Sequence, residues 1–226
     1  MKVLLVTIFV LALVPIVAIS QSNSAQSPVE IKGEPRHHPK FENEFVKIWD
    51  VTVPGGDSTL WHAHRNDNVV VTLAPAKLHI ETLGRDPVDA EWKLGEVRFS
   101  KATYIHRAMN VGTTAFHNFT IELLKPASAN SPNLANEAGR EPVLENERVR
   151  VYRLSLAPGA AIATHTHPFP GVVVTMTATE IEVTADGKTV RHSVKENDVS
   201  WRAGGVTHSI KNVGKTRFEA LDIELK

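Results

Sequence analysis

The 226-residue chain contains no cysteine. That excludes disulfides, thiolate metal ligands, cysteine nucleophiles and lipid attachment to a cysteine. A folded form must draw its stability from its core. An excess of charge is lacking too: Lys and Arg total 25 and Asp and Glu total 25, so the formal net charge is zero. With no Lys/Arg cluster to mark a phosphate-binding face, nothing points to nucleic acid. No Gly-rich phosphate loop, Ser/His/Asp arrangement or paired-carboxylate signature stands out. Amphipathic helical stretches of useful length are absent as well.

The N-terminus differs from the rest. Lys2 precedes an apolar run from Val3 to Ile19, broken by Thr7 and Pro15, and a small polar stretch begins at Ser20. This is the layout of a secretory signal peptide, with a cut after Ala18-Ile19-Ser20 or, as second choice, Asn23-Ser24-Ala25. The alternative is an uncleaved anchor, but the run is near the short limit for a span and contains a proline. Residues 1–20 are expected to be removed on export. That leaves a periplasmic or secreted protein without stable membrane association.

An internal repeat organises what remains. Phe41-Glu-Asn-Glu-Phe-Val-Lys-Ile-Trp49 is matched by Leu144-Glu-Asn-Glu-Arg-Val-Arg-Val-Tyr152. The offset of 103 holds through Gly56/Gly159, His62/His165, His64/His167 and Val69–Thr72/Val172–Thr175. It then becomes 102, through His106/His208, Asn110-Val111-Gly112/Asn212-Val213-Gly214 and Ile121–Leu123/Ile223–Leu225. Each copy alternates short Val/Ile/Thr-rich runs with Gly, Pro, Asn and Asp, the pattern of β-strands and turns. Asp186-Gly187 marks a hairpin between Glu180–Ala185 and Lys188–Val194. The expectation is an all-β protein of two tandem barrels arising by duplication, over 41–125 and 144–226. Residues 21–40 form a polar, proline-bearing extended arm, and 126–143 a linker rich in Ala, Asn and Pro.

The repeated histidines carry the chemistry. Side chains alternate along a strand, so His62 and His64 share a face, as do His165 and His167. His106 and His208 come from a later strand that could reach the same point. Three neutral imidazoles suit Fe(II), Mn(II), Ni(II), Cu(II) or Zn(II) and leave positions open for water or substrate. The same histidines could instead be hydrogen-bonded core residues. His117 and Glu219 stand on faces shared with Phe119 and Leu221; if those faces point inward, they could act as supporting or acid/base groups. Trp61, Trp92 and Trp201 are core, interface or pocket residues. His37-His38 lies in the arm and reads as solvated or an adventitious metal-binding pair.

Gly56-x5-His62-x-His64 and Gly159-x5-His165-x-His167, followed by His106 and His208, resemble the two motifs of the cupins, and the resemblance covers nearly all of the mature chain twice. It implies two jelly-roll barrels, each with one divalent metal held by three histidines and a glutamate. The glutamate is missing: its positions are Asn68 or Val69 in the first copy and Gly171 or Val172 in the second. Asp67 stands one residue early and Asn68 could fill the gap. The resemblance therefore implies at most a three-histidine site, as in some Fe(II) cupin dioxygenases. The missing glutamate weighs against oxalate-degrading, manganese-bound readings, and makes the second barrel the more open one. Two functions follow: a metal-dependent oxygenase or isomerase acting on small diketones, thiols, hydroxy acids or sugars, or a non-catalytic module that binds a small ligand or metal. No residue stands out as a general base. A second copy of the chain is a further candidate partner.

Overall fold

A computed structural model describes residues 27–126 and 139–226. The expected signal peptide (1–20), the start of the arm and most of the linker lie outside the described residues. No α-helix occurs among the described residues, and no helix there is long and apolar enough to cross a membrane.

The first half contains β1 (Val29–Glu30), β2 (His37–Glu42), β3 (Val46–Val53), β4 (His62–His64), β5 (Asn68–Ala74), β6 (Ala76–Thr82), β7 (Val88–Trp92), β8 (Val97–Ser100), β9 (Tyr104–Asn110) and β10 (Phe116–Leu123). The second contains β11 (Arg140–Glu145), β12 (Val149–Leu156), β13 (Ala161–His167), β14 (Gly171–Thr175), β15 (Thr179–Ala185), β16 (Lys188–Val194), β17 (Val199–Arg202), β18 (Val206–Asn212) and β19 (Phe218–Leu225). Each half folds as two sheets. The orders β2-β3-β10-β5-β8 and β11-β12-β19-β14-β17 correspond strand for strand. So do β4-β9-β6-β7 and β13-β18-β15-β16, with β1 added at the edge of the former. The hairpin expected at Asp186-Gly187 forms, with both residues at positive φ as a tight two-residue turn requires.

The strands begin earlier than the sequence suggested. β2 starts at His37 and β11 at Arg140, ahead of Phe41 and Leu144. Pro39 and Pro142 lie in the expected arm and linker. Both sit at bulges on edge strands, where the missing N–H costs no ladder bond. The end of the expected arm is thereby part of the first barrel's wall.

The five-stranded sheets carrying β3 and β12 pack face to face. Ile48, Val71 and Phe119 meet Val151, Val174 and Leu221 in one core, all fully buried. Arg148 crosses this boundary to the Asp67 carboxylate and donates to the Leu123 carbonyl at 3.3 Å. Trp201 stacks on Phe45 with ring centroids 5.6 Å apart. These sheets are thus buried on both faces, and their opposite faces line the barrels. There Trp49, Val51, Leu78 and Phe116 form the first interior core, and Leu154, Ile162, Ile210 and Phe218 the second.

The Asn-Val-Gly of each copy is structural. Buried Asn110 donates to the Val53 and Thr114 carbonyls and accepts from Gly112 N–H. Asn212 repeats all three bonds with Leu156, Thr216 and Gly214. A satisfied buried amide of this kind fixes the loop between the last two strands.

Candidate metal centres

In the first barrel β4 and β9 run antiparallel with His62 directly opposite His106, and His64 lies two residues on, on the same inward face. The three Nε2 atoms form a triangle. His62–His64, His64–His106 and His106–His62 are each 3.1 Å apart. Hydrogen bonds alone cannot satisfy it. His62 Nδ1 lies 2.9 Å from the Leu60 carbonyl, which only accepts, so the ring proton is on Nδ1 and Nε2 keeps its lone pair. Burial, and then the nearby His37, push the His62 imidazole down to about 4. Burial, reinforced by neighbouring histidines, likewise lowers His64 and His106. The rings are therefore neutral at pH 7, the form that ligates a metal.

The second barrel repeats this on β13 and β18, where His165 faces His208. His167 Nε2 is 2.8 Å from His165 Nε2 and 3.1 Å from His208 Nε2. His165 Nδ1 donates to the Ala163 carbonyl at 2.8 Å, as His62 does to Leu60. His167 Nδ1 donates to Glu224 Oε1 at 3.0 Å. Burial lowers His167, and burial together with His167 and His165 lowers His208 to about 4. In both barrels three imidazole Nε2 atoms converge, and the donor set fits a divalent ion. Two nitrogens at right angles about an ion, each about 2.1 Å away, stand about 3 Å apart.

The surroundings differ. In the second barrel the alternate residues of β19, Asp222 and Glu224, point inward beneath His167. Arg202 Nη2 lies 2.8 Å from Asp222 Oδ1, and Arg140 Nη2 lies 3.1 Å from Asp222 Oδ2 and 3.4 Å from Glu224 Oε1. Burial raises the Asp222 carboxyl, but Arg202, His167 and Arg140 outweigh it and hold it below its ordinary value. His167, Asp222 and Glu224 come close enough to share an ion. The two guanidiniums already neutralise the carboxylates, so the cluster orients His167 rather than offering a cation site. Gly171 leaves room for it: a Cβ there would stand 2.7 Å from Arg202 Nη2. The corresponding cross-strand pair in the first barrel is Asn68 and Ser100.

The first barrel fills the same space otherwise. Asn68 donates to the Tyr104 hydroxyl at 2.9 Å, and Tyr104 stacks on His64 with centroids 4.7 Å apart. Burial raises the Tyr104 phenol to about 12, so it stays neutral. Glu122 accepts from Trp49 Nε1 at 2.8 Å and from Asn66 at 3.2 Å. The cavity beside this triad is about 50 Å³, against about 420 Å³ beside the second. The second barrel has the larger cavity, though not because Gly171 leaves its position bare. Arg202 occupies the space over Gly171. The volume comes from Val206 and Val194, which stand where the first barrel has Tyr104 and Trp92.

Three expected supporting residues do not reach the sites. His117 and Glu219 lie on the faces of β10 and β19 that meet the other barrel, with His117 Nε2 2.8 Å from Asp50. The apolar faces of these strands pack between the barrels, so the inward residues are Thr120, Glu122, Asp222 and Glu224. Asp67 does not turn inward either. It accepts from Ala102 N–H and pairs with Arg148 across the boundary. Asn68 does support the site, through Tyr104. His37 is not solvated: it is 7% exposed, with its ring 4.8 Å from that of His62, whereas His38 is exposed. Trp92 lines the first cavity, Trp201 lies at the inter-barrel core, and Trp61 lies under Arg107.

No protein-family model and no curated protein matches the chain. Solved structures do. AerE from Microcystis aeruginosa aligns over 85% of this chain and 98% of its own, with TM-score 0.61 and 10% identity. A cupin 2 conserved barrel domain protein from Leptotrichia buccalis aligns over 84% and 88%, with TM-score 0.53 and 11% identity. The fold is a cupin fold. Salicylate 1,2-dioxygenase from Pseudaminobacter salicylatoxidans also shares it, over 80% of this chain and 71% of its own, with TM-score 0.57 and 11% identity.

Proposed function

We propose that this cupin is exported and holds a divalent metal in each histidine triad, and that its second barrel is a small-molecule oxygenase or isomerase. The observation that carries the reading is the convergence of imidazole lone pairs, with the protons of His62, His165 and His167 fixed on their Nδ1 atoms. A bound divalent metal would supply Lewis acidity and open positions for substrate or oxygen. His165, His167 and His208 would hold it, and the salt-bridged cluster beneath would keep His167 oriented.

The cavity of about 420 Å³ is large enough for a compact substrate. Its wall is mainly Leu154, Ile162, Val173, Ile181, Val206 and Phe218, and its guanidiniums are engaged by Asp222 and Glu224. That favours a largely apolar molecule presenting two oxygens to the metal, such as a diketone, over a sugar. The fold accommodates oxygen chemistry, since a dioxygenase shares it. The cavity of about 50 Å³ in the first barrel favours a second reading there: metal held without turnover.

Metal content per chain tests the proposal. Wild type is expected to carry two equivalents after reconstitution, and His64→Ala and His167→Ala one each, with the fold intact. Wild type that takes up no metal, or either variant keeping the full complement, would make the histidines structural and end the metalloenzyme reading.

A further inference from the structure

A fourth imidazole, His37, stands beside the first triad. His37 opens β2 opposite Val51, with its side chain inside the barrel. The ligand nitrogens of His37, His62 and His64 all lie within 4.8 Å of one another. The His37 ring is 4.8 Å from that of His62 and 6.2 Å from that of His64. Within the triad the separations are 4.5 to 5.0 Å. His37 therefore stands nearest His62, with His64 next.

A carboxylate holds the ring in place. Glu34 is 2% exposed, and its Oε2 lies 2.6 Å from His37 Nδ1. The same carboxylate accepts from the Arg36 N–H at 2.8 Å and the Leu60 N–H at 3.1 Å. Leu60 in turn accepts the His62 Nδ1 proton. One buried acid thus aligns His37 directly and His62 through a single residue, Leu60. Burial raises the Glu34 carboxyl, yet these bonds and His37 bring it below its ordinary value. Because Nδ1 is engaged by Glu34, Nε2 is the ring nitrogen left to ligate. A carboxylate behind the far nitrogen of an imidazole is the usual companion of a metal-bound histidine.

We propose that His37 is a fourth metal donor of the first barrel, positioned by Glu34. The inference rests on the metal-binding reading above. It makes the two sites unlike: a closed site with four imidazoles, and an open one with three. The second barrel cannot copy it, because Arg140 stands at the matching position opposite Leu154, and a guanidinium does not ligate metal.

The test uses the full chain carrying His167→Ala, in which the first barrel keeps the intact triad. Co(II) is titrated and its visible spectrum, which reports coordination, is recorded. Adding His37→Ala is expected to weaken binding by about 10- to 100-fold and change the spectrum, with exogenous imidazole restoring both. Glu34→Gln is expected to weaken binding about tenfold. In a His64→Ala chain, His37→Ala is expected to leave Co(II) binding by the second barrel unchanged. If circular dichroism shows that His37→Ala has lost the fold, His37→Gln decides. Unchanged affinity and spectrum in a folded His37 variant would overturn the inference while leaving the metal reading intact. Failure of the His167→Ala parent to bind Co(II) would instead overturn the metal reading of this barrel, and the inference with it.

Discussion

Arg202→Met tests whether the charged cluster under His167 does what its geometry implies. The substitution keeps an apolar stem beside Gly171 but removes the guanidinium, 2.8 Å from Asp222 Oδ1 and 2.8 Å from the Phe169 carbonyl. Asp222 is 2% exposed and would keep Arg140 as a guanidinium partner. Breaking a buried ion pair from one side costs about 3–5 kcal/mol. Because Arg140 remains, the lower end applies, about 3 kcal/mol. Asp222→Asn in the same chain removes the stranded charge, so the double variant is expected to be more stable than the sum of the single effects by about 2 kcal/mol. The penalty of Arg202→Met should also shrink between pH 7 and pH 5. Burial no longer opposed by Arg202 raises the Asp222 carboxyl, and protonation relieves it. Urea unfolding of metal-stripped protein, followed by tryptophan fluorescence, measures all three quantities. A second readout is metal affinity: the second barrel should weaken about tenfold while the first is unaffected. A cost below about 1 kcal/mol for Arg202→Met, or strictly additive effects, would refute the view that Arg202 neutralises a buried carboxylate.

The pH dependence of the metal-free protein follows from the depressed imidazoles. His62 falls from 6.5 to about 4 on folding, so the unfolded chain binds more protons in that window. Its contribution is complete above pH 6.5 and lost as pH falls toward 4, about 2 kcal/mol being gone at pH 5. Urea midpoints at pH 7 and pH 5 check this, and an unchanged midpoint would contradict it. Val206→Tyr should narrow the second cavity as Tyr104 narrows the first. Metal stoichiometry should persist while binding of a test diketone, followed calorimetrically, is lost; undiminished binding would place the ligand elsewhere. For export, N-terminal sequencing of the processed protein is expected to begin at Gln21, or at Gln26 if the second cut is used. Intact Met1 in the membrane fraction would count against cleavage.

Much of the protein was legible in its sequence because the signals are local or repeated. The two-residue period of a strand puts His62 with His64, and His165 with His167, on one face whatever the rest of the chain does. The repeat aligned His106 with His208 and gave the all-β, two-barrel organisation. Tertiary structure decided which face is the inside. β10 and β19 are buried on both sides, so hydrophobicity alone could not orient them. Their apolar residues, Phe119 and Leu221 among them, seal one barrel against the other. That places Glu122, Asp222 and Glu224 inward and His117 and Glu219 outward. The partners Asn68 with Tyr104, and Gly171 with Arg202, are likewise products of register. Each joins residues from different parts of the chain, and no spacing rule links them. Glu34 and His37 are close in sequence, but only the fold turns His37 into the barrel beside His62. Sequence determined that six histidines would be presented in threes. Packing decided what stands behind each three: in one barrel an arm histidine and a stacked tyrosine, in the other a neutralised ion cluster and an open cavity.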